Sequence, residues 1–387
     1  MRRPRTTVVV SGMIAADPFQ GGASWAVLQY VLGLQRLGYE VHLVEPIPTA
    51  SIQPPGTPLG ESLNEAYFHR VAEEYGLERH ATLLHSGTRE TVGMTYDELR
   101  ALCRRAAVLL NVSGMLADPE LVSPIPIRVY LDLDPAFNQL WHAAEGIDMR
   151  FAAHTHFATV GQEVGSDACP VPTCGRDWIP TLPPVVLDRW PVAGEIRRDA
   201  WTTVANWRGY GSIEHGGVHH GQKAHSFRRL MELPGRTTGK FAVALSIHPG
   251  ETRDVTALGA NGWEIVDPIE AAGTPWHYAR FVAGSRGEIG IAKSGYVASR
   301  CGWFSDRSAC YLACGRPVIA QETGFGRHLP TGSGLLSFGD IEGATDATAR
   351  VRADYAVHAR AARAVAEEYL DSDRVLGRLL GKVGAPC

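Results

Sequence analysis

The chain has 387 residues, more than one hydrophobic core usually serves, so two domains are expected. Apolar residues make up 45% and charged residues 20%, the balance of a soluble globular protein rather than a disordered or fibrous one. A formal net charge of -4 excludes the broad basic footprint of a dedicated nucleic-acid binder, and the seven cysteines, without CxxC pairs, suit a reducing cytoplasm rather than a disulfide scaffold.

Arg2 and Arg3 ahead of VVVSGMIAA have the outline of a secretory leader, but Ser11 and Gly12 interrupt the apolar run, and residues 7–10 read as a buried parallel strand. The loop SGMIAADPFQGGASW, an apolar-periodic helix over 23–37 and a strand over 39–44 complete a β-α-β unit. Gly21 and Gly22 at the start of that helix let the backbone approach a ligand, although their spacing is not that of a dinucleotide fingerprint. Residues 47–60 read as irregular, 61–75 and 97–105 as helices, and 107–112 and 128–131 as buried strands. Asp132 and Asp134 end the last of these, where they either face the ligand crevice of an open sheet or cap the segment 135–142. A strand over 151–160 would turn His154 and His156 to one face; no third ligand accompanies them, so they read as ligand-facing or structural histidines rather than a metal pair. The proline-rich stretch 169–191, with Trp178 and Trp190, reads as a stiff connection between domains.

A second βα series starts at 201–206 and crosses an exposed polar loop holding Glu214, His215, His219 and His220, before a helix that begins near Lys223 and carries His225. The irregular spacing of these groups argues against metal. Strands over 241–246, 263–266 and 288–292 alternate with a helix over 276–283, and Asp267 and Lys293 stand at strand ends. WFSDRSACYLACGRPVIAQETG, residues 303–324, then reads as a loop, a helix, a turn at Gly315, a buried strand and a new loop opening at Thr323 and Gly324. Ser305 is the expected N-cap, and the first amides of that helix, lacking partners and lying at the positive end of its dipole, make an anion site. Cys310 and Cys314 share a helix face as small buried side chains. Residues 354–369 form a long amphipathic helix and 375–380 a short one, and no window approaches the roughly 18 continuous apolar residues of a membrane span.

The two series, the run GGASWAVLQYVLGLQRLGYEVHLVE near one end and WFSDRSACYLACGRPVIAQETGF near the other, resemble the GT-B glycosyltransferase superfamily and within it the family-4-like members. The resemblance implies an α/β architecture of two Rossmann-like domains with parallel sheets facing across a cleft. Residues 1–185 would be the acceptor domain, 186–360 the nucleotide-sugar donor domain, and 361–387 helices crossing back to the first. It implies a nucleotide-sugar donor as co-substrate, no other cofactor, no metal, and a small-molecule, glycan or natural-product acceptor. Counting back from Gly315, the two glutamates of family-4-like enzymes fall on Gly302 and Cys310, which marks a divergent family. On the donor side the resemblance points to Gly21 and Gly22, to Lys223, Lys293 and Arg307 as cations, and to the amides from Ser305 to Arg307. Asp306 would replace the missing ribose contact, Asp267 would frame the base, and Glu322, Thr323 and Gly324 would meet the sugar and phosphates. An inverting reaction needs a base, for which Asp17 stands first, Asp134 second and His154 third; a retaining one does not. A GT-B nucleotide-sugar epimerase or hydrolase and a non-catalytic sugar- or nucleotide-binding protein are the other two readings.

Overall fold

The computed structural model describes residues 5–386; Arg2, Arg3 and Cys387 lie outside them. Eight strands make the first sheet: β1 Thr7–Ser11, β2 Glu40–Ile47, β3 Ala81–His85, β4 Thr91–Val92, β5 Val108–Val112, β6 Ile127–Asp132, β7 His156–Thr159 and β8 Trp178–Pro180. Their spatial order is β4-β3-β2-β1-β5-β6-β7-β8, parallel throughout except for the antiparallel pair β3 and β4. β1 and β5 are buried along their whole length, as β-branched and leucine-rich strands covered on both faces must be.

The chain then forms β9 Arg198–Asn206, a small antiparallel hairpin of β10 Ile213–His215 and β11 Val218–His220, and β12 Phe241–Ser246, β13 Trp263–Val266, β14 Ser285–Gly290, β15 Val318–Gln321 and β16 Leu335–Phe338. The second sheet is all parallel, in the order β13-β12-β9-β14-β15-β16. Strand order therefore reverses at β1/β5 in one sheet and at β9/β14 in the other. At such switch points the loops after the strands part and leave a crevice for ligands.

The first helix, Gly21–Arg36, joins the two halves. Its apolar face buries Trp25, Leu28, Val31 and Leu32, and one hydrophobic cluster continues from it through Trp190 and Tyr278 to Leu312 and Val318. Trp25 Nε1 donates to Pro275 O at 2.8 Å, and the Tyr67 hydroxyl donates to Gly273 O at 3.1 Å. A Cβ at Gly21 would lie 2.3 Å from Thr274 O, so glycine is required there for close contact between the two halves of the protein. At the other end the helix Ser372–Lys382 packs back on the first helix, held by Val185 N to Leu370 O at 2.7 Å and Ser372 N to Val185 O at 2.9 Å.

Four local readings change. Residues 169–191 are more than a stiff connection: Trp178–Pro180 is the edge strand β8, where a missing N–H is tolerated, and Trp190 is buried. The strand expected over 151–160 begins only at His156, after the short turn Phe151–Ala153, so His154 and His156 do not share a strand face. The histidine-rich loop folds into the β10–β11 hairpin around Gly216 and Gly217, whose positive φ angles of 58° and 76° suit its tight turn. The long helix expected over 354–369 is Tyr355–Val365 followed by a π turn, Ala366–Leu370. Among the described residues no helix is long and apolar enough to cross a membrane.

Candidate active site

A cleft of about 690 Å³ opens between the two sheets at their switch points. One wall is the loop from Met13 to Ala23 that links β1 to the first helix. The other is built from Asn206 at the end of β9 and Tyr210 beyond it, Ser246 at the end of β12, Lys293 after β14, and Lys223, Asp306 and Arg307.

Lys223 is the first residue of the short helix Lys223–Arg229, and 9% of its surface is exposed. The turn before it is pinned by Gln222 Nε2 donating to Gly211 O at 3.1 Å and the turn after it by Ala224 N donating to Trp207 O at 3.1 Å. Among the described residues no side chain or carbonyl hydrogen-bonds its ammonium. Burial drives its pKa well below the ordinary 10.5, and the neighbouring charges of Arg307 and Lys293 push it the same way.

Arg307 lies in the first turn of the helix Asp306–Ala313, capped by Ser305 Oγ accepting from Arg307 N at 3.2 Å. Its Nε donates to Glu288 Oε1 at 2.5 Å and its Nη1 to Val204 O at 3.1 Å. Glu288 is wholly buried within the second sheet's switch strand β14, and its Oε2 has no hydrogen-bond partner among the described residues. Asp306 also lines the cleft, and burial raises its carboxyl above the usual range against the pull of Arg307.

Lys293 behaves differently. Its Nζ donates to Asp134 Oδ2 at 2.9 Å and Oδ1 at 3.1 Å and to the Tyr210 hydroxyl, while the Tyr210 and Tyr296 hydroxyls donate to the same carboxylate. The ammonium also sits 4.3 Å from the Tyr210 ring centre and 5.0 Å from that of Phe137. Asp134 follows the last strand residue of β6 in the first sheet, so this cluster ties the two sheets together.

Asp17 stands on the opposite wall, with no side-chain partner among the described residues. Partial burial raises its carboxyl. The loop that carries it is gripped from below: the wholly buried carboxylate of Glu45 in β2 accepts from Ile14 N, Ala15 N and Ala16 N at 2.9, 2.8 and 2.6 Å. Asn64 Nδ2 donates to Ala15 O at 2.7 Å from the other side. Burial outweighs these three bonds and pushes the Glu45 carboxyl up to about 7.

The expected residues separate clearly. Asp17, Gly21, Gly22, Lys223, Lys293, Asp306 and Arg307 share the cleft. Asp134 is locked by Lys293, Tyr210 and Tyr296, which removes it as a free base. His154 is buried, with Nε2 3.0 Å from Asn111 Nδ2 and Nδ1 2.9 Å from Arg150 O; burial lowers its pKa to about 4, so it is a neutral structural residue outside the cleft. Asp267 turns into its own helix, capping Ile269 N at 2.7 Å, and Pro268 and Ile269 line the cleft in its place. Ser305, Thr323 and Gly324 lie outside the cleft walls: Thr323 Oγ1 donates to Trp303 O and Gly324 N to Glu322 Oε1 at 2.7 Å, bracing the loop ahead of the helix. Glu288, Tyr210, Tyr296 and Glu45 were missed because their partners are remote in sequence; the carboxylate inside an apolar strand, VHLVEPI, was the available signal for Glu45.

No family model and no curated protein matches the chain. Solved structures do, over nearly the full length of both chains. An α-glucosyltransferase (AGT) in complex with UDP is 11% identical with a TM-score of 0.61, covering 98% of this chain and 100% of that one. Anabaena Alr3699/HepE in complex with UDP and glucose is 9% identical with a TM-score of 0.60, covering 98% and 100%. Sucrose-phosphate synthase from Thermosynechococcus elongatus is 11% identical with a TM-score of 0.56, covering 98% and 99%. The likeness defines the architecture: the chain has the GT-B fold of these glycosyltransferases.

Proposed function

We propose that the protein transfers a sugar from a nucleoside diphosphate sugar to an acceptor hydroxyl in this cleft. The observation that carries the reading is the buried ammonium of Lys223, without a hydrogen-bond partner among the described residues, beside Arg307 and facing a crevice at the switch points of both sheets. A buried ammonium without a hydrogen-bonded counter-ion is costly, and a diphosphate supplies one. As the anomeric carbon–oxygen bond breaks, its electron pair passes to the diphosphate, and Lys223 and Arg307 stabilise that charge in place of a metal ion. The acceptor oxygen bonds to the anomeric carbon from the Asp17 side, and its proton passes to the Asp17 carboxylate, which makes the product anomer inverted. Retention would remove Asp17 as the base.

The α-glucosyltransferase and HepE structures contain UDP, so UDP-sugars are the first donors to try. The test is a thermal-shift screen against UDP-, GDP-, dTDP-, ADP- and CMP-sugars. A ligand at a hundred times its Kd stabilises a fold by about 2.7 kcal/mol, and no shift with any of them would refute the proposal. Asp17→Asn should keep the donor shift and lose turnover. Release of free sugar at a rate indifferent to acceptor would instead identify a nucleotide-sugar hydrolase, and donor binding without turnover a binding protein. Six unpaired cysteines among the described residues suit the reducing cytoplasm as the place of this reaction.

A further inference from the structure

A second groove, of about 900 Å³, lies along the carboxyl ends of β1, β2, β3 and β5 and meets the donor cleft at Met13 and Asp17, which line both. Five charged side chains line it, two arginines and three carboxylates, so it offers no excess of positive charge to an anion. Four of the five are already engaged by protein. Arg89 donates to Glu120 Oε1 at 2.9 Å and lies 5.0 Å from the centre of the Tyr96 ring. Glu120 also accepts from Arg100 at 3.1 Å, and Asp118 accepts from the Tyr96 hydroxyl at 2.7 Å and from Glu120 N at 2.9 Å. Arg150 donates to Gly114 O at 2.9 Å. Asp17 is the exception.

Between these closed pairs the walls are apolar: Met13, Pro46, Leu84, Met115, Leu116 and Pro119. Ser51, Ser86 and Thr88 add three uncharged hydroxyls, of which that of Thr88 donates to His85 O at 2.9 Å. A polyhydroxylated or anionic ligand would have to break existing pairs to satisfy its own polar groups, whereas an apolar one is bound by surface taken out of water.

We propose that this groove takes as acceptor a neutral, largely apolar alcohol or phenol of small-molecule size, its hydroxyl directed at Asp17. The inference rests on the glycosyl-transfer reading above. The acceptor's O–H bond breaks with its proton going to the Asp17 carboxylate, the oxygen bonds to the anomeric carbon, and the sugar–diphosphate bond breaks with its electron pair leaving on the diphosphate.

The test uses the full chain with whichever nucleotide sugar shifts its melting most, and three acceptors: 2-naphthol, maltotriose and glycerol 3-phosphate. The expected result is a kcat/KM for 2-naphthol at least tenfold above either polar acceptor. Met115→Glu and the exposed Ala117→Glu should each weaken 2-naphthol binding, measured by equilibrium dialysis, at least tenfold while leaving the donor melting shift intact. Preference for maltotriose or glycerol 3-phosphate, or unchanged 2-naphthol binding in both variants, would overturn the proposal. Donor binding with no 2-naphthol product removes this inference alone; absence of any donor shift removes the glycosyl-transfer reading and this inference with it.

Discussion

Lys223 and Lys293 stand in the same half of the protein, line one cleft and are both mostly buried, yet their surroundings are opposite. Lys293 has a carboxylate, a phenol hydroxyl and three aromatic faces around its ammonium. Lys223 is opposed by the charges of Arg307 and Lys293 more strongly than it is favoured by those of Glu288 and Asp306, and has no hydrogen-bond partner among the described residues. A charge that is fully satisfied by the protein has nothing left to offer a ligand, and its removal costs stability. A charge that the protein leaves without a partner is one that a ligand can pair, and its removal should cost binding. Residue type and burial therefore do not distinguish an interdomain tie from an anion site; partners do.

The largest effect expected of this contrast is on donor affinity. Lys223→Met should weaken nucleotide-sugar binding about a hundredfold, roughly the loss of one charge-assisted contact to phosphate in a dry site. The same substitution should leave the unfolding temperature unchanged or higher, because it replaces a buried charge that no protein group hydrogen-bonds with an apolar chain of similar length. Isothermal calorimetry and thermal unfolding on the same preparation measure both. A clear loss of stability with donor affinity retained would assign Lys223 to the scaffold and dissolve the contrast.

Lys293→Met reverses the expectation. It leaves Asp134 partly buried beside two phenol hydroxyls, without its cation, and should lower unfolding stability by about 2 kcal/mol, less than a fully buried pair because about a fifth of each side chain is exposed. Donor affinity should change by less than about threefold, a small effect on this scale. Because Asp134 and Lys293 belong to different sheets, urea unfolding followed by tryptophan fluorescence should also lose cooperativity if the tie couples the two halves. A donor-affinity loss equal to that of Lys223→Met would make the two lysines one site.

Much of the fold was readable from local pattern. Both series of buried strands and amphipathic helices, and the stop at Gly315, follow from periodicity and glycine placement alone. Lys223 came within reach only through the resemblance, which implies a phosphate-contacting lysine at the start of the helix after the leading strand of the second series. Pairing was not readable. Asp134 and Lys293 are 159 positions apart, and nothing local to Asp134, the second candidate base after Asp17, shows that a remote lysine claims it. Arg307 faces the remote Glu288 rather than the adjacent Asp306, because a residue's immediate neighbour on a helix points to another side. Gly21 lines the cleft, and its missing side chain also makes room for the remote Thr274, which no local pattern shows. In each case the residue type is local information, while the atom that satisfies it is placed by the packing of two domains.

The smallest expected effect is a pH slope that only one of the two lysines should carry. Lys223 is faced by Arg307, Lys293, Glu288 and Asp306, with burial the dominant influence and a downward shift as the result. A lysine whose folded pKa is depressed binds fewer protons in the native than in the unfolded chain, so it adds to stability as pH rises from the depressed value toward 10.5. A bound diphosphate favours the ammonium and raises that pKa again. Donor binding must then take up a proton, and affinity should fall as pH rises through the window between the free and bound values, by at most about tenfold per pH unit. Calorimetry in two buffers of different ionisation enthalpy reads the proton directly. The uptake should persist in Lys293→Met and vanish in Lys223→Met. Uptake that survives in Lys223→Met would place the titrating group elsewhere on the cleft wall, with Asp17 and Asp306 the carboxyls there already shifted upward by burial.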